Sequence, residues 1–185
     1  MSAGRFIEKK GLIYAINAIA PIVKKYPHVR YTLIGDGILK KKYKRRIKKW
    51  NVKDKIKMVG WCTHKKYIEL LEKAHLFVLP SITAQNNDQE GIANVLKEAM
   101  AMGLLTIATD HSGNAELIED KVSGFLVPER NSKAIYKVID AILQSPHQWQ
   151  KMQNAAVEKV HTEFDKEKEN DKLEAILYRL IGHAK

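Results

Sequence analysis

Glu90 and Glu98 stand eight positions apart in the stretch "EGIANVLKEAMAMG", and Gly91 follows the first of them. Ile92, Val95, Leu96, Ala99 and Met100 recur at helical spacing and form one apolar stripe. Glu98 lies off that stripe, so the core does not claim it. A helix opening at Gly91 would offer unpaired N–H groups and the positive end of its dipole, a seat for phosphate. The glycine leaves room for close backbone approach. Each carboxylate accepts two or more hydrogen bonds, so two of them flanking such a seat suit sugar or ribose hydroxyls. The same residues equally describe a capped surface helix with two solvated glutamates. Upstream, "GRFIEKKG" places Arg5 and Lys10 ahead of Gly11. A guanidinium fork and an ammonium point charge are two ways to hold a diphosphate, and also the commonest surface cations.

These residues need elements to position them. Strand-like runs lie at 30–35, 55–61, 75–80, 104–110 and 124–128, and helical patterns at 11–25, 38–50, 64–74, 91–102, 113–120 and 131–144. "HLFVLP" and "LLTIATD" show little polar alternation, as expected of parallel strands covered on both faces. The alternation predicts an α/β fold, a Rossmann-like doubly wound parallel sheet. In such sheets ligands bind at the carboxyl ends of the strands, here "GRFIEKKG", "LIGDG", "VGW", "LPSITAQNNDQEG", "ATDHSG" and "LVPERN". "LIGDG", with Gly35, is a tight strand-to-helix turn but a weak dinucleotide signature. Residues 1–145 read as the sheet-bearing lobe, and 146–185 as closing helices of the same domain. "SAGRF" reads as the tail of a first strand, so the chain is expected to be one lobe of a longer protein.

Bulk properties narrow the classes. The net charge of the 185 residues is +11, and residues 40–57 alone carry eleven Lys/Arg against one Asp. The basicity therefore belongs to one segment. Leu39, Tyr43, Ile47 and Trp50 form an apolar stripe within it, which favours a packed helix with a solvated cationic face. The rival readings are attraction to an anionic membrane surface and, less favoured for want of aromatics to stack bases, nucleic-acid binding. A single cysteine, Cys62, excludes an internal disulfide and reads as a small buried residue. No apolar run reaches the ~18 residues of a membrane span, and a cytoplasmic location is the default. His111, at a strand end, reads as a turn or capping residue. No His/Asp cluster has metal-ligand spacing.

The order "GRF–EKKG", "LIGDG", "VGW", "FVLPS", "EG–KEAMAMG", "HSGNAELIED–SGFLVP" resembles the carboxyl-terminal lobe of GT-B retaining glycosyltransferases of glycosyltransferase family 4, most of all enzymes of bacterial exopolysaccharide or lipopolysaccharide synthesis. The resemblance runs from Gly4 to about Ile139. It implies that Arg5 and Lys10 neutralise the donor diphosphate and that Glu90 faces the donor sugar. It further implies that Gly91 and Ile92 offer amides to phosphate, that Glu98 holds the ribose, and that Gly35 lies near the nucleotide. It implies no cofactor and no metal. The acceptor, a glycan or lipid-linked sugar, would bind a separate amino-terminal lobe, so this lobe alone is expected to catalyse little. Departures from the family pattern are Ile92 after "EG", Leu104 in place of a proline, and "SGNAE" with Ser112 and Ala115; none removes a charged anchor. A nucleotide-sugar 2-epimerase of the same architecture, and a non-catalytic polyanion- or membrane-binding module using residues 40–57, are the alternatives.

Overall fold

The computed structural model describes residues 1–182. Two three-stranded parallel sheets form its middle. One has β1 (Ser2–Ala3), β2 (Tyr31–Ile34) and β3 (Ile56–Gly60) in the order β1-β2-β3. The other has β4 (Leu76–Leu79), β5 (Leu105–Thr109) and β6 (Phe125–Val127) in the order β4-β5-β6. β1 lies against β4: the Val78 N–H donates to the Met1 carbonyl (2.9 Å) and Ser2 Oγ to the Val78 carbonyl (2.5 Å). Across both sheets the order is 3-2-1-4-5-6, the doubly wound arrangement, with its switch point between β1 and β4.

The period-2 geometry of strands explains how two cores grow from one layer. Leu33, Val78, Leu105 and Ile107 face one cluster. It is shared with α1 (Leu12–Lys25), α2 (Lys40–Trp50) and α6 (Ser132–Gln144). Ile34, Phe77, Leu79 and Ala108 face the other. That side holds α3 (His64–Leu71), α4 (Asn94–Ala101), the single turn α5 (Asn114–Leu117) and α7 (Gln150–Glu163). Both faces of the central strands are therefore covered, as the continuous apolar runs anticipate.

Two expectations are corrected. α4 begins at Asn94, not Gly91; Ala93 caps it, and Gly91 and Ile92 form the approach to the helix. Ile92, counted in the helical stripe, instead packs against the turn at Gly113, where an added Cβ would meet its Cγ1 at 2.5 Å. The closing helices behave unequally. α7 buries Met152, Ala156 and Val160, but α8 (Lys166–Gly182) leaves Leu173, Ile176, Leu177 and Leu180 exposed. Residues 183–185, the end of the expected closing segment, lie outside the described residues.

Candidate functional site

The rim at the switch point is built by close backbone contacts. After β1 the chain makes a single 3-10 turn (Glu8–Lys10) and leaves it at Gly11, in the left-handed region at φ 56°. A Cβ on Gly11 would sit 1.8 Å from the Pro80 carbonyl oxygen at the end of β4. The Ile82 N–H donates to the Lys9 carbonyl (2.8 Å), and Lys9 Nζ donates to Asp88 Oδ1 (2.9 Å) and the Gln89 carbonyl (3.1 Å). The long polar loop after β4 is thus stitched to the turn after β1. Gly35 closes the other flank at φ 131°, where a side chain would strike the Gly4 carbonyl at 1.9 Å.

This stitching brings Lys10 onto Glu90. Lys10 Nζ lies 2.8 Å from Glu90 Oε2, and their side chains are only 10% and 18% exposed. The Lys10 stem lies against Gly4, whose added Cβ would meet it at 3.2 Å. The ion pair lacks hydrogen-bond alignment, so the buried Glu90 Oε2 has no hydrogen-bond partner. A cation and a carboxylate thus meet at the carboxyl ends of β1 and β4. Arg5, in the chain just after β1, is exposed and forms no ion pair among the described residues.

Glu98 sits half-buried in α4, clear of Leu96, Ala99 and Met100, which enter the core. Its neighbour is Tyr67 of α3, whose hydroxyl donates to the Val95 carbonyl at 3.3 Å. Burial first, then the Glu98 carboxylate, pushes the Tyr67 hydroxyl well above the ordinary range. The structure therefore brings Lys10, Glu90 and Gly4 together. Glu98 lies in the second turn of α4, and Gly35 lies beneath Gly4. The first-turn N–H groups are those of Asn94 and Val95, not of Gly91 and Ile92. Gly91 stays exposed, with open space where a side chain would be.

Two residues of the site go beyond the sequence reading. His111, just past β5, is 4% exposed. Its Nε2 accepts the Glu90 N–H at 3.3 Å, which fixes the ring proton on Nδ1, and Nδ1 faces Glu129 Oε1 at 2.5 Å. Glu129 Oε2 also accepts the Thr83 N–H at 3.1 Å. The pair clamps both ends of the loop that carries Glu90. The turn role expected of His111 understates it, and Glu129, eighteen positions away, leaves no trace in local spacing.

Burial pushes the Glu129 carboxyl up, but His111, the Thr83 amide and Arg130 outweigh it and hold it below the usual range. A depressed carboxylate stabilises the fold above its unfolded value, and that contribution is lost as pH falls through the folded one. Acidification below the ordinary glutamate range is therefore expected to release the loop before the rest of the domain. Hydrogen exchange at Thr83 and Glu90 should accelerate first, and Glu129→Gln should abolish that early phase. Uniform acceleration across the domain would assign the loop no separate clamp.

Comparison with known proteins agrees with this architecture. Residues 1–159 match the family model described as glycosyl transferases group 1. The amylovoran biosynthesis glycosyltransferase AmsK of Erwinia amylovora is 38% identical over 97% of this chain and 44% of its own length. The putative colanic acid biosynthesis glycosyltransferase WcaL of Escherichia coli is 33% identical over 97% of this chain and 45% of its own. The chain thus spans less than half the length of these relatives. Among solved structures, the C-terminal domain of the group 1 glycosyl transferase LpcC from Francisella tularensis superposes with a TM-score of 0.80 at 23% identity, covering 89% of this chain and 85% of that one. Anabaena HepE in complex with UDP gives 0.83 at 23% identity over 96% and 48%. The chain belongs to the glycosyl transferases group 1 family.

Proposed function

We propose that the chain is the donor-binding lobe of a retaining glycosyltransferase. The whole protein would move a sugar from a nucleotide diphosphate sugar onto a glycan or lipid-linked acceptor in cell-surface polysaccharide synthesis. The observation that carries this reading is the Lys10–Glu90 pair at the switch point. It sets an ammonium suited to a diphosphate next to a carboxylate suited to sugar hydroxyls. Arg5, exposed and without an ion pair among the described residues, supplies a second cation. The first turn of α4 supplies amides, and Glu98 stands where a ribose would follow the phosphates. Leaving-group charge is met by these groups, with no metal assigned a part. The names of AmsK and WcaL, both biosynthetic glycosyltransferases of exopolysaccharides, and the UDP complex of HepE support the same donor and pathway class. A cytoplasmic location goes with a nucleotide-sugar donor.

Calorimetry with UDP, GDP and ADP tests the lobe. One of the three is expected to bind, and Glu98→Ala should weaken that binding about tenfold or more through the lost ribose hydrogen bonds, which are charge-assisted at ~1.5–3 kcal/mol. Absence of binding by all three, on this lobe and on a protein carrying both lobes, would end the donor reading.

A further inference from the structure

The exposed face of α2 combines two features that a merely solvated face does not require together. Lys42, Arg45, Arg46 and Lys49 recur at i, i+3, i+4 and i+7 and line one shallow depression. In this region Lys40 pairs with Asp36 and Lys55 lies near Asp54, while these four cations form no ion pair among the described residues. Ile38, 85% exposed, lies in the turn just before the helix. Trp61, 78% exposed, follows β3, the strand paired with β2. Ile38 and Trp61 leave the same ends of two neighbouring strands, where the Gly35 N–H bonds the Gly60 carbonyl at 2.8 Å. An aliphatic side chain and an indole thus mark one end of an unneutralised cationic stripe.

We propose that this face docks on an anionic phospholipid surface, with the four cations over the headgroups and Ile38 and Trp61 reaching the acyl boundary. Charge complementarity gives the attraction, and tryptophan is a residue of membrane–water interfaces. The apolar side of α2 is already spent on the core through Tyr43 and Ile47, so the contact is electrostatic with two shallow anchors and does not insert the helix. No helix of the described residues is long and apolar enough to cross a membrane. A nucleic acid fits the face less well. The aromatics of α2 are turned inward, Tyr43 buried and Trp50 packed under Lys24 and donating to Asn17, which leaves Trp61 as the one aromatic of this face exposed to stack a base, where strand binding uses several in succession. The inference does not depend on the donor site.

Co-sedimentation of the 185-residue chain with phosphatidylcholine vesicles, with and without phosphatidylglycerol, tests it. Binding is expected only with phosphatidylglycerol, to fall with added salt as screening shortens, and to shift tryptophan emission to the blue. The shift should vanish in Trp61→Phe while binding persists. Combined Lys42→Ala, Arg45→Ala and Lys49→Ala should weaken binding roughly a hundredfold, at roughly fivefold per cation. These positions are exposed and alanine favours helix, and circular dichroism checks that the fold is kept. No vesicle binding, undiminished binding by the triple variant, or binding to oligonucleotides with no response to vesicles would each overturn the proposal.

Discussion

Glu90→Ala, in a protein carrying both lobes, is expected to lower kcat for sugar transfer by about 10²–10³-fold, the usual cost of removing one group that stabilises developing charge. The expectation rests on the reading of Glu90 as the carboxylate facing the donor sugar and on its state in the structure. Its Oε2 is buried against Lys10 without an aligned hydrogen bond, so the ion pair holds the carboxylate in place while the side chain keeps 18% of its surface open to a ligand hydroxyl. Lys10→Ala should act differently. On the proposed reading it removes the ammonium that meets the diphosphate, and it leaves Glu90 uncompensated, so donor KM should rise and kcat fall together. Because each residue is the other's counter-ion, the double variant should lose less than the product of the two single losses. Steady-state kinetics over the three variants decides the matter. An unchanged kcat in Glu90→Ala would remove Glu90 from the reaction, and strictly multiplicative losses would mean the pair does not act as one unit.

Gly11→Ala is expected to have the largest effect on the fold. The residue sits at φ 56°, and its new Cβ would lie 1.8 Å from a backbone oxygen of Pro80. Neither partner is a flexible side-chain end, so the clash can be relieved only by separating the ends of β1 and β4. A change that combines backbone strain with overpacking belongs among the exceptional losses of more than ~4 kcal/mol. That is a large share of the ~5–15 kcal/mol that holds a typical domain. Gly91→Ala is the matched control. Nothing lies within 4 Å of its added Cβ, so stability should change by less than about 0.5 kcal/mol. Urea denaturation of both variants checks the contrast. Comparable midpoints would show that the β1 and β4 loops are not locked together at Gly11.

The sequence carried the architecture well because strands covered on both faces leave long apolar runs, and the glycines that close strand-to-helix turns punctuate them. Lys10 and Glu90, eighty residues apart, stand out by chemical type and by the ends of strands they follow, take their roles only from the family resemblance, and lie 2.8 Å apart in the structure. The start of α4 was misplaced because Ile92 fits the helical period while serving a different contact, the turn at Gly113. Periodicity counts apolar residues and cannot tell which neighbour buries them. The His111–Glu129 clamp was missed for a related reason. It joins two loops whose approach is set by β5 and β6 pairing side by side, a relation between strands that no local spacing encodes. In the last helix, the sequence predicts the helix, but its pattern cannot say whether its apolar positions meet this lobe, and Leu173, Ile176, Leu177 and Leu180 do not.

β3 lies at one margin of the sheet and β6 at the other. A marginal strand with unpaired N–H and C=O groups is a template for uncontrolled growth by another copy of the chain. Here one margin is only three residues long. The other carries exposed Lys57 within it, preceded by Lys53 and Lys55. Two copies pairing β3 with β3 in parallel would set Lys57 against Lys57. The lysines around this strand thus act as a guard against polymerisation, letting the fold keep open edges without extending into fibres.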